Sequence, residues 1–330
     1  MKLKLKQFTQ NLITKACAEQ GIKERPKIVL GLSGGPDSIF LLHILAELKN
    51  EAIIELTATH LDHQWRAESA RDVEFCHQIC NDFDVKFIAA TASDLNLDFK
   101  FNGSKEELGR RLRRKLFETV LQSEQAHILA LAHHAQDQQE TFFIRLIRGT
   151  TLSGLRCMEM VDGKYLRPLL DTNKAEIVTF LDKNKITYLT DPTNASDDYL
   201  RNRIRKYVLP ALKQCDERFE LKFKSTLDQI KLEDDFLKQL TSQEFERIFD
   251  LSSQKNIWVG KLDQFQKLNV VLQRRITLHW LIKEKIKFSL SSSYLDEVLK
   301  FLNSKNGGQH KLSEYWQLCK KNNFFHMSKH

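Results

Sequence analysis

A glycine-rich segment, Leu32–Ser38, lies between a strand-like run and a helix-like run and has the character of a phosphate-binding loop. Its two glycines let backbone N–H groups face a phosphate, and the following helix adds the positive end of its dipole. Asp37 can bind a magnesium ion that neutralises phosphates. A turn that merely caps a helix is the alternative. The strand–loop–helix context favours the phosphate site, with six binding residues: Ser33, Gly34, Gly35, Pro36, Asp37 and Ser38.

A second polar segment, from His133 to Thr141, follows a short apolar run and opens a helix. Asp137 and Glu140 are three residues apart at the helix start, so their carboxylates face the same way. They are suited to a magnesium ion or to orienting a nucleophilic amine. A capping arrangement is the alternative for this pair. For His133, nucleotide positioning or proton relay and a buried structural role both stay open.

Arginines cluster in three places along the chain. The helix around Arg113 is strongly basic, which predicts contacts with phosphates, although a solvated face remains the alternative for its outer arginines. A second group has three arginines in five residues, a density that caps and turns do not explain, and it is suited to a polyanion. The third is a pair near the C-terminus. The last two groups comprise Arg201, Arg203, Arg205, Arg274 and Arg275.

Strand-like and helix-like runs alternate through the first half of the chain. Nearly continuous apolar runs predict buried parallel strands, at Lys27–Leu32, Ile53–His60, Val85–Ala90 and Ile128–Ala132. Helical patterns separate them, at Ile39–Leu48, Ala67–Phe83, Lys105–Gln122 and Gln136–Arg148. The fold class is therefore α/β, a parallel sheet with helices on both faces. Ligands collect at the carboxyl ends of such strands, where the polar segments of this chain lie.

The 330 residues suggest more than one domain. We predict a catalytic domain over residues 1–215 and a mainly helical domain over residues 216–330. The second contains 20 Lys and Arg against 15 Asp and Glu, a net +5 of the whole chain's +8. A polyanionic partner is compatible with this charge, although charge alone raises that prospect only modestly.

The six cysteines are scattered without a CxxC pair, which is typical of reduced thiols in a cytoplasmic protein. Cys76 and Cys80 are one helical turn apart and are predicted to be buried thiols, with a metal or redox site as the less favoured alternative. The apolar runs are far shorter than the ~20 residues of a membrane span. The first residues have no apolar stretch of a secretory signal.

The loop lacks the Walker lysine and is not a G-x-G-x-x-G motif. Ser-Gly-Gly-Pro-Asp-Ser resembles the PP-loop signature of the N-type ATP pyrophosphatases. That resemblance implies an adenine nucleotide alpha hydrolase-like fold, a loop that binds the pyrophosphate portion of ATP, and adenylation of a substrate oxygen.

Further segments are similar to those of the lysidine synthetases within this superfamily. They are His-His-Ala-Gln-Asp-Gln-Gln-Glu-Thr from His133, Arg-Pro-Leu-Leu from Arg167, Asp-Pro-Thr-Asn from Asp191, and Arg-Asn-Arg-Ile-Arg from Arg201. The resemblance is strong over residues 27–219 and faint beyond. Gln136 replaces a usual Asp, which shifts the expected metal role to Asp137. Gln64-Trp65 replaces a usual Gly-Leu after His60–His63, so that segment is only weakly assigned to nucleotide binding.

The resemblance implies an ATP-dependent ligase that adenylates the wobble cytidine of the CAU anticodon of isoleucine tRNA and couples it to free L-lysine. ATP and Mg²⁺ are the implied cofactors, with Asp37 and Asp137 as metal ligands. The expected catalytic residues are Asp37, Arg113, His133, Asp137, Glu140 and Arg205, and the expected tRNA-binding residues are Arg201, Arg203, Arg274 and Arg275. A homodimer is compatible with the resemblance. The family's longer members carry a further C-terminal domain, for which this chain is expected to be too short.

Two other functions are weighed against this hypothesis. A thiolase-like tRNA-modifying enzyme of the same fold would need a catalytic cysteine pair or an iron–sulfur set, and no cysteine stands at a matching position. A non-catalytic nucleic-acid-binding protein with a vestigial loop is opposed by the intact Asp37, Ser38, Asp137 and Glu140.

Overall fold

The computed structural model describes residues 1–65, 68–95, 103–190, 197, 199–252, 257–286 and 292–329. It divides into two compact units, residues 1–225 and residues 226–330. The expected boundary at residue 215 stays a prediction, as do the roles assigned to the two parts. The Asp-Pro-Thr-Asn segment from Asp191 and the start of the predicted helix at Ala67 lie outside the described residues.

The first unit contains a six-stranded sheet with the spatial order β3-β2-β1-β4-β6-β5. All neighbouring strands are parallel except β5, which is antiparallel to β6. The parallel sheet predicted from the sequence is confirmed, and the short β5–β6 hairpin adds an edge that the sequence did not predict. The strands are β1 Lys27–Gly31, β2 Glu55–Asp62, β3 Lys86–Thr91, β4 Ile128–Ala130, β5 Val161–Asp162 and β6 Tyr165–Leu166.

Helices cover both faces of this sheet because successive strand side chains point to opposite sides. Ile28 and Leu30 belong to a core cluster with α1, α2, α3 and α7, whereas Val29 belongs to a second cluster with α4. The helices of this part are α1 Lys2–Gln20, α2 Pro36–Asn50, α3 Ser69–Asp82, α4 Lys105–Ser123, α5 Ala135–Arg148, α6 Leu152–Leu155, α7 Lys174–Lys183, α8 Leu200–Arg203 and α9 Leu209–Cys215. A π-helical turn, Ile204–Val208, joins α8 to α9.

The long helix α10, Phe219–Ile248, runs across the division between the units. The second unit adds the helices α11 Leu262–Gln266, α12 Val270–Lys283 and α13 Ser292–Asn303. The predicted C-terminal helices are therefore present. No helix in the ranges that the structure describes is both long and apolar enough to cross a membrane.

The second unit also contains an antiparallel sheet with the order β7-β8-β11-β10-β9, which the sequence did not predict. Its core includes the fully buried Trp280 of α12 and Phe325, whose ring centroids are 5.3 Å apart. The strands are β7 Phe249–Ser252, β8 Ile257–Lys261, β9 Gly308–Lys311, β10 Trp316–Lys321 and β11 Phe324–Lys329.

Candidate active site

The glycine-rich loop turns sharply between β1 and α2. Gly34 has a φ of +79°, in the left-handed region that favours glycine. A Cβ added there would lie 2.6 Å from Cδ1 of Leu189, so space as well as conformation requires glycine. The Leu189 N–H donates to the Gly34 carbonyl at 2.9 Å. Pro36 occupies the first turn of α2, where its missing N–H leaves no bond unmade.

The two loop serines stabilise the loop from within. The Ser33 N–H donates to Oγ of Ser38 at 3.2 Å, and Oγ of Ser38 donates to the Gly35 carbonyl at 3.0 Å. The two hydroxyl oxygens are 3.1 Å apart. Nδ1 of the buried His60 also donates to the carbonyl of Leu32 at 2.9 Å, which fixes the strand end that precedes the loop. These bonds preorganise the loop in a phosphate-cradling shape.

The carboxylates of Asp37 and Asp137 converge on one buried imidazole. Nε2 of His134 is 3.7 Å from Oδ2 of Asp37 and 3.6 Å from Oδ2 of Asp137. Nδ1 of His134 accepts the Gln136 N–H at 3.2 Å, so in the neutral ring Nε2 bears the proton and faces both acids. Asp137 also accepts the His134 N–H at 2.9 Å and completes a capping box at the start of α5.

The same pair of acids suits a magnesium ion. Oδ1 of Asp37 is buried without a hydrogen-bond partner, as expected of an oxygen reserved for a cation. No third His, Cys, Asp or Glu among the described residues completes a protein-only ligand set. Mg²⁺ commonly uses one or two carboxylates and takes its other ligands from phosphates and water. Asp37 and Asp137 therefore fit this ion, with a nucleotide supplying the rest.

A lysine from a distant segment approaches the loop. Nζ of Lys174, the first residue of α7, lies 3.6 Å from Oδ2 of Asp37. The loop has no Walker lysine of its own, and Lys174 places a positive charge beside Asp37 of the loop. This residue was not singled out from the sequence, because nothing in its spacing links it to the loop.

His133 is surrounded by arginines. Its pKa is lowered to about 4, mainly by burial and also by the positive charges of Arg167, Arg201 and Arg113, against the opposing charge of Asp137. Nδ1 of His133 is buried without a hydrogen-bond partner. At physiological pH this imidazole is neutral and can offer a hydrogen bond to a ligand, but it is a weak base.

Asp137 stays ionised in the same surroundings. Burial alone would raise its pKa, but the adjacent His134 and His133 and the hydrogen bond from the His134 N–H lower the pKa on balance. Asp137 keeps a side-chain exposure of 15%, so it can reach a ligand. The site therefore combines negative carboxylates near the loop with positive guanidiniums around His133.

Glu140 faces arginines of the segment near residue 203. It is fully buried, and its carboxylate accepts from Nε of Arg205 at 2.6 Å and lies 3.0 Å from Nε of Arg201. Burial lowers the pKa of Arg205, but the hydrogen bond and charge of Glu140 raise it overall. Asp137, which lies beside His134 and Asp37, is better placed than Glu140 for a metal. The catalytic role predicted for Glu140 stays a prediction.

The other predicted arginines have distinct surroundings. Nε of Arg113 on α4 donates to the Gly109 carbonyl at 3.4 Å. Arg203 is exposed and donates to the Asp197 carbonyl at 2.9 Å. In the second unit Arg274 pairs with Asp296, and Arg275 pairs with Asp234 at 2.6 Å. Their roles in tRNA binding remain predictions.

Arg167, the first residue of the Arg-Pro-Leu-Leu segment, is a site residue that sequence reasoning left without a role. Burial lowers its pKa, and the charge of Arg110 adds to that effect. Its guanidinium lies 5.2 Å above the ring of Tyr165 and donates to the Glu159 carbonyl at 2.9 Å. Nε of Arg167 is buried without a hydrogen-bond partner. The Arg-Pro-Leu-Leu motif is the sequence signal from which Arg167 could have been identified as a site residue.

Cys76 and Cys80 are both buried, as the sequence predicted for thiols of α3. Burial raises the pKa of each to about 12, so neither is a thiolate at neutral pH. Sγ of Cys76 lies 3.6 Å from Nδ1 of His60. These properties are those of packing residues behind the loop rather than of nucleophiles.

A parallel sheet whose first strand leads into this loop, with acids from two neighbouring strand ends beside it, defines a nucleotide-binding α/β protein without a Walker motif. A family model described as a PP-loop domain matches residues 1–212. The chain belongs to this ATP-binding PP-loop family.

Curated relatives carry a more specific name. The tRNA(Ile)-lysidine synthases of Bacillus cereus (strain ATCC 10987) and Bacillus subtilis are each 34% identical to the chain, over 290 and 289 residues. That of Clostridium acetobutylicum is 30% identical over 281 residues. The matches cover 84–85% of this chain but 60% of each relative, so the chain matches less than two thirds of their length. The resemblance predicted from the sequence is confirmed.

A solved structure shares the fold at lower identity. The U34-tRNA thiolase NcsA from Methanococcus maripaludis, with its 4Fe-4S cluster, superposes with a TM-score of 0.55 at 17% identity. The match covers 68% of this chain and 79% of the thiolase chain. At this identity it shows the fold alone.

Proposed function

We propose that the chain is a tRNA(Ile)-lysidine synthetase, which adenylates the wobble cytidine of an isoleucine tRNA and couples it to free lysine. The observation that carries the adenylation is the convergence of Asp37 and Asp137 on His134 beside the glycine-rich loop. The choice of tRNA and lysine rests on the similarity to the lysidine synthases of Bacillus and Clostridium.

In the proposed first step, the loop binds the phosphates of ATP. The carbonyl oxygen of the cytosine ring attacks the alpha-phosphorus, a P–O bond forms, and the bond to pyrophosphate breaks. Lys174 and the arginines around His133 stabilise the negative charge that develops on the phosphoryl oxygens. Mg²⁺, held by Asp37 and Asp137, would neutralise phosphate charge when bound.

In the proposed second step, the adenylated ring carbon is the electrophile. The neutral amine of lysine attacks it, a C–N bond forms, and AMP leaves with the oxygen while the nitrogen loses a proton. Ionised Asp137 is available beside the site as a hydrogen-bond acceptor for an ammonium group. Neutral His133 offers a hydrogen bond rather than a charge, which suits nucleotide positioning better than proton abstraction.

The two parts of the chain are proposed to have different functions. The PP-loop part would perform the chemistry, and the part beyond residue 215, with its net +5, would contact the tRNA. A cytoplasmic location follows from a tRNA substrate. A thiolase-like function is less well supported, because the buried Cys76 and Cys80 have a pKa of about 12.

The test is AMP release from ATP by the purified chain with an isoleucine tRNA transcript that has a CAU anticodon. We expect AMP formation and incorporation of labelled lysine to require both the tRNA and lysine, and Asp37→Ala to abolish both. A methionine tRNA transcript is the matched RNA control. ATP turnover that is indifferent to lysine would overturn the lysine assignment, and no turnover with this tRNA would overturn the tRNA assignment.

A further inference from the structure

Trp65 presents a half-exposed indole ring beside the arginines of the site. Its relative exposure is 47%, which is high for so large an apolar side chain. It lies shortly after the end of β2 at Asp62, in the segment where the sequence departs from the resembled family. The mechanism proposed above makes no use of this residue.

One face of the Trp65 ring packs against other residues of the protein. The imidazole of His63 stacks on it, with ring centroids 4.4 Å apart and planes 22° from parallel. A Cβ added at Gly109 of α4 would lie 2.7 Å from Cη2 of Trp65 and 3.1 Å from Cε1 of His63. The absence of a side chain at Gly109 therefore lets the two rings lie close against the helix.

The backbone before Trp65 is also fixed. Gln64 has a φ of +54°, uncommon for a residue other than glycine. Its N–H donates to Oδ1 of Asp62 at 2.8 Å, and its side-chain oxygen accepts the Ser93 N–H at 3.3 Å. A surface ring supported in this way loses little conformational entropy when a ligand covers it.

Positive charge lies next to the ring. The carbonyl of Gly109, under Trp65, accepts from Nε of Arg113 at 3.4 Å. Burial lowers the pKa of Arg113, and the nearby guanidiniums of Arg201 and Arg110 lower it as well. An aromatic face beside guanidiniums is the combination with which proteins bind single-stranded nucleic acid, the ring stacking a base and the arginines contacting phosphates.

The position of Trp65 favours an RNA base over the adenine of ATP. Along β2, His60 faces the loop side, where it bonds Leu32 and contacts Cys76, whereas Leu61 packs in the cluster of α4. Trp65 lies against Gly109 of α4, a helix that covers the sheet face opposite α2, the helix that follows the phosphate loop.

We propose that the exposed face of Trp65 stacks an unpaired nucleobase of the tRNA anticodon and so holds the RNA beside the arginine cluster. This inference rests on the proposed function for the identity of the RNA. The stacking itself is independent of lysine and of adenylation.

The test measures the equilibrium dissociation constant of the full chain for the CAU isoleucine tRNA transcript, without ATP or lysine. Removal of one stacked base by alanine substitution weakens binding by about tenfold to a hundredfold. We expect that loss for Trp65→Ala and a loss of only about threefold for Trp65→Phe, which keeps a ring. Leu3→Ala, which truncates another exposed apolar residue, should bind like the wild type.

Three transcripts, each with one abasic anticodon nucleotide, identify the stacked base. At the position that stacks, Trp65→Ala should cause no further loss of affinity, because the partner is already gone. Gly109→Ala keeps the indole but displaces it. Because alanine favours the helix more than glycine does, the variant should fold, and we expect it to lose less affinity for the tRNA than Trp65→Ala does. Circular dichroism and ATP binding serve as checks that each variant is folded.

The inference would be overturned if Trp65→Ala bound the tRNA with wild-type affinity. It would also be overturned if Trp65→Ala lowered the affinity for each of the three abasic transcripts as much as for the intact transcript. Weaker ATP binding with unchanged RNA binding would instead assign the ring to adenine and also overturn it. The two proposals fail separately. If Trp65→Ala loses affinity in a base-specific way but the chain never consumes lysine, only the proposed function is overturned. If Trp65→Ala forms lysidine with an unchanged KM for tRNA, only the stacking is overturned.

Discussion

Glu140 and Arg205 form a two-pronged ion pair inside the first unit, with contacts of 2.6 Å and 3.1 Å between the carboxylate and the guanidinium. Glu140 is fully buried, whereas the side chain of Arg205 retains 27% exposure. The pair therefore joins the interior of α5 to the surface of the site. Because Arg201 also contacts Glu140, one buried acid orients two arginines.

Glu140→Gln should destabilise the chain and misplace both arginines. Removing the charge of one partner leaves buried positive charge uncompensated, which costs about 3 kcal/mol in comparable buried pairs. Urea unfolding of the variant measures this loss. The matched control is Glu118→Gln, which removes an exposed pair with Arg114 and should cost less than about 1 kcal/mol. Equal unfolding midpoints for the two variants would contradict a structural role for Glu140.

Lys174→Met should impair ATP use without lowering stability. Its ammonium lies 3.6 Å from Oδ2 of Asp37 and is 38% exposed, so its loss leaves no buried charge unpaired. We expect at least about a tenfold fall in kcat/KM for ATP, the size of effect that one charge-assisted phosphate contact contributes. Lys174→Arg should retain part of the activity.

Lys183→Met is the control for that prediction, because it removes a lysine from the last turn of the same helix. It should leave both kcat/KM and the unfolding midpoint unchanged. If Lys174→Met had wild-type kinetics at limiting ATP, Lys174 would not contact the phosphates.

Much of the first unit was predictable because buried parallel strands and a glycine-rich loop leave clear local signals. Asp37 and Asp137 follow β1 and β4, which are neighbours in the sheet, so their approach follows from topology. The contact from Lys174 was not predictable, since it depends on where a loop-rich stretch returns to the site.

The different surroundings of Asp137 and Glu140 were also not predictable from the sequence. Their spacing of three residues predicts that both lie on one side of α5, but it does not predict what each one faces. Asp137 lies at the third position of the helix and caps it, whereas Glu140 lies one turn deeper and is reached by Arg205 from a π-helical turn. Strand β9 of the second unit, Gly308–Lys311, is short and polar, so its sequence pattern is weak.

Acidification should destabilise the chain partly through His133. Its pKa in the folded chain is about 4, below the ordinary 6.5, so the unfolded chain binds a proton that the folded chain does not. The stability that neutral His133 contributes is therefore complete above pH 6.5 and is lost as the pH falls from 6.5 towards 4. Burial lowers the pKa of His43 to about 4 as well, and that residue adds to the same trend.

His133→Asn should make the free energy of unfolding less dependent on pH in this window, by at most ~1.4 kcal/mol per pH unit, the value for one proton. Urea unfolding between about pH 7.5 and pH 5 gives the slope. His77→Asn, at an exposed position on α3, is the control and should keep the wild-type slope. A wild-type slope in His133→Asn would show that His133 does not resist protonation.

Arg274 and Arg275 are adjacent in the second unit but should respond differently to substitution. Asp234, the partner of Arg275, is fully buried, and Nζ of Lys238 lies 3.2 Å from its other carboxylate oxygen. Arg275→Leu should therefore lower the free energy of unfolding by about 3 kcal/mol. The partner of Arg274, Asp296, is 59% exposed, so Arg274→Leu should cost less than about 1 kcal/mol.

This difference separates folding from tRNA binding at the predicted arginine pair. If Arg274 contacts a tRNA phosphate, Arg274→Leu weakens binding and reduces the slope of log affinity against log salt by roughly one. Titrations of the CAU transcript at several salt concentrations measure that slope. An unchanged slope in a folded Arg274→Leu chain would remove Arg274 from the tRNA-binding surface. Because Arg275 pairs with a buried acid, a loss of affinity in Arg275→Leu counts as binding only if the variant is folded at the assay temperature.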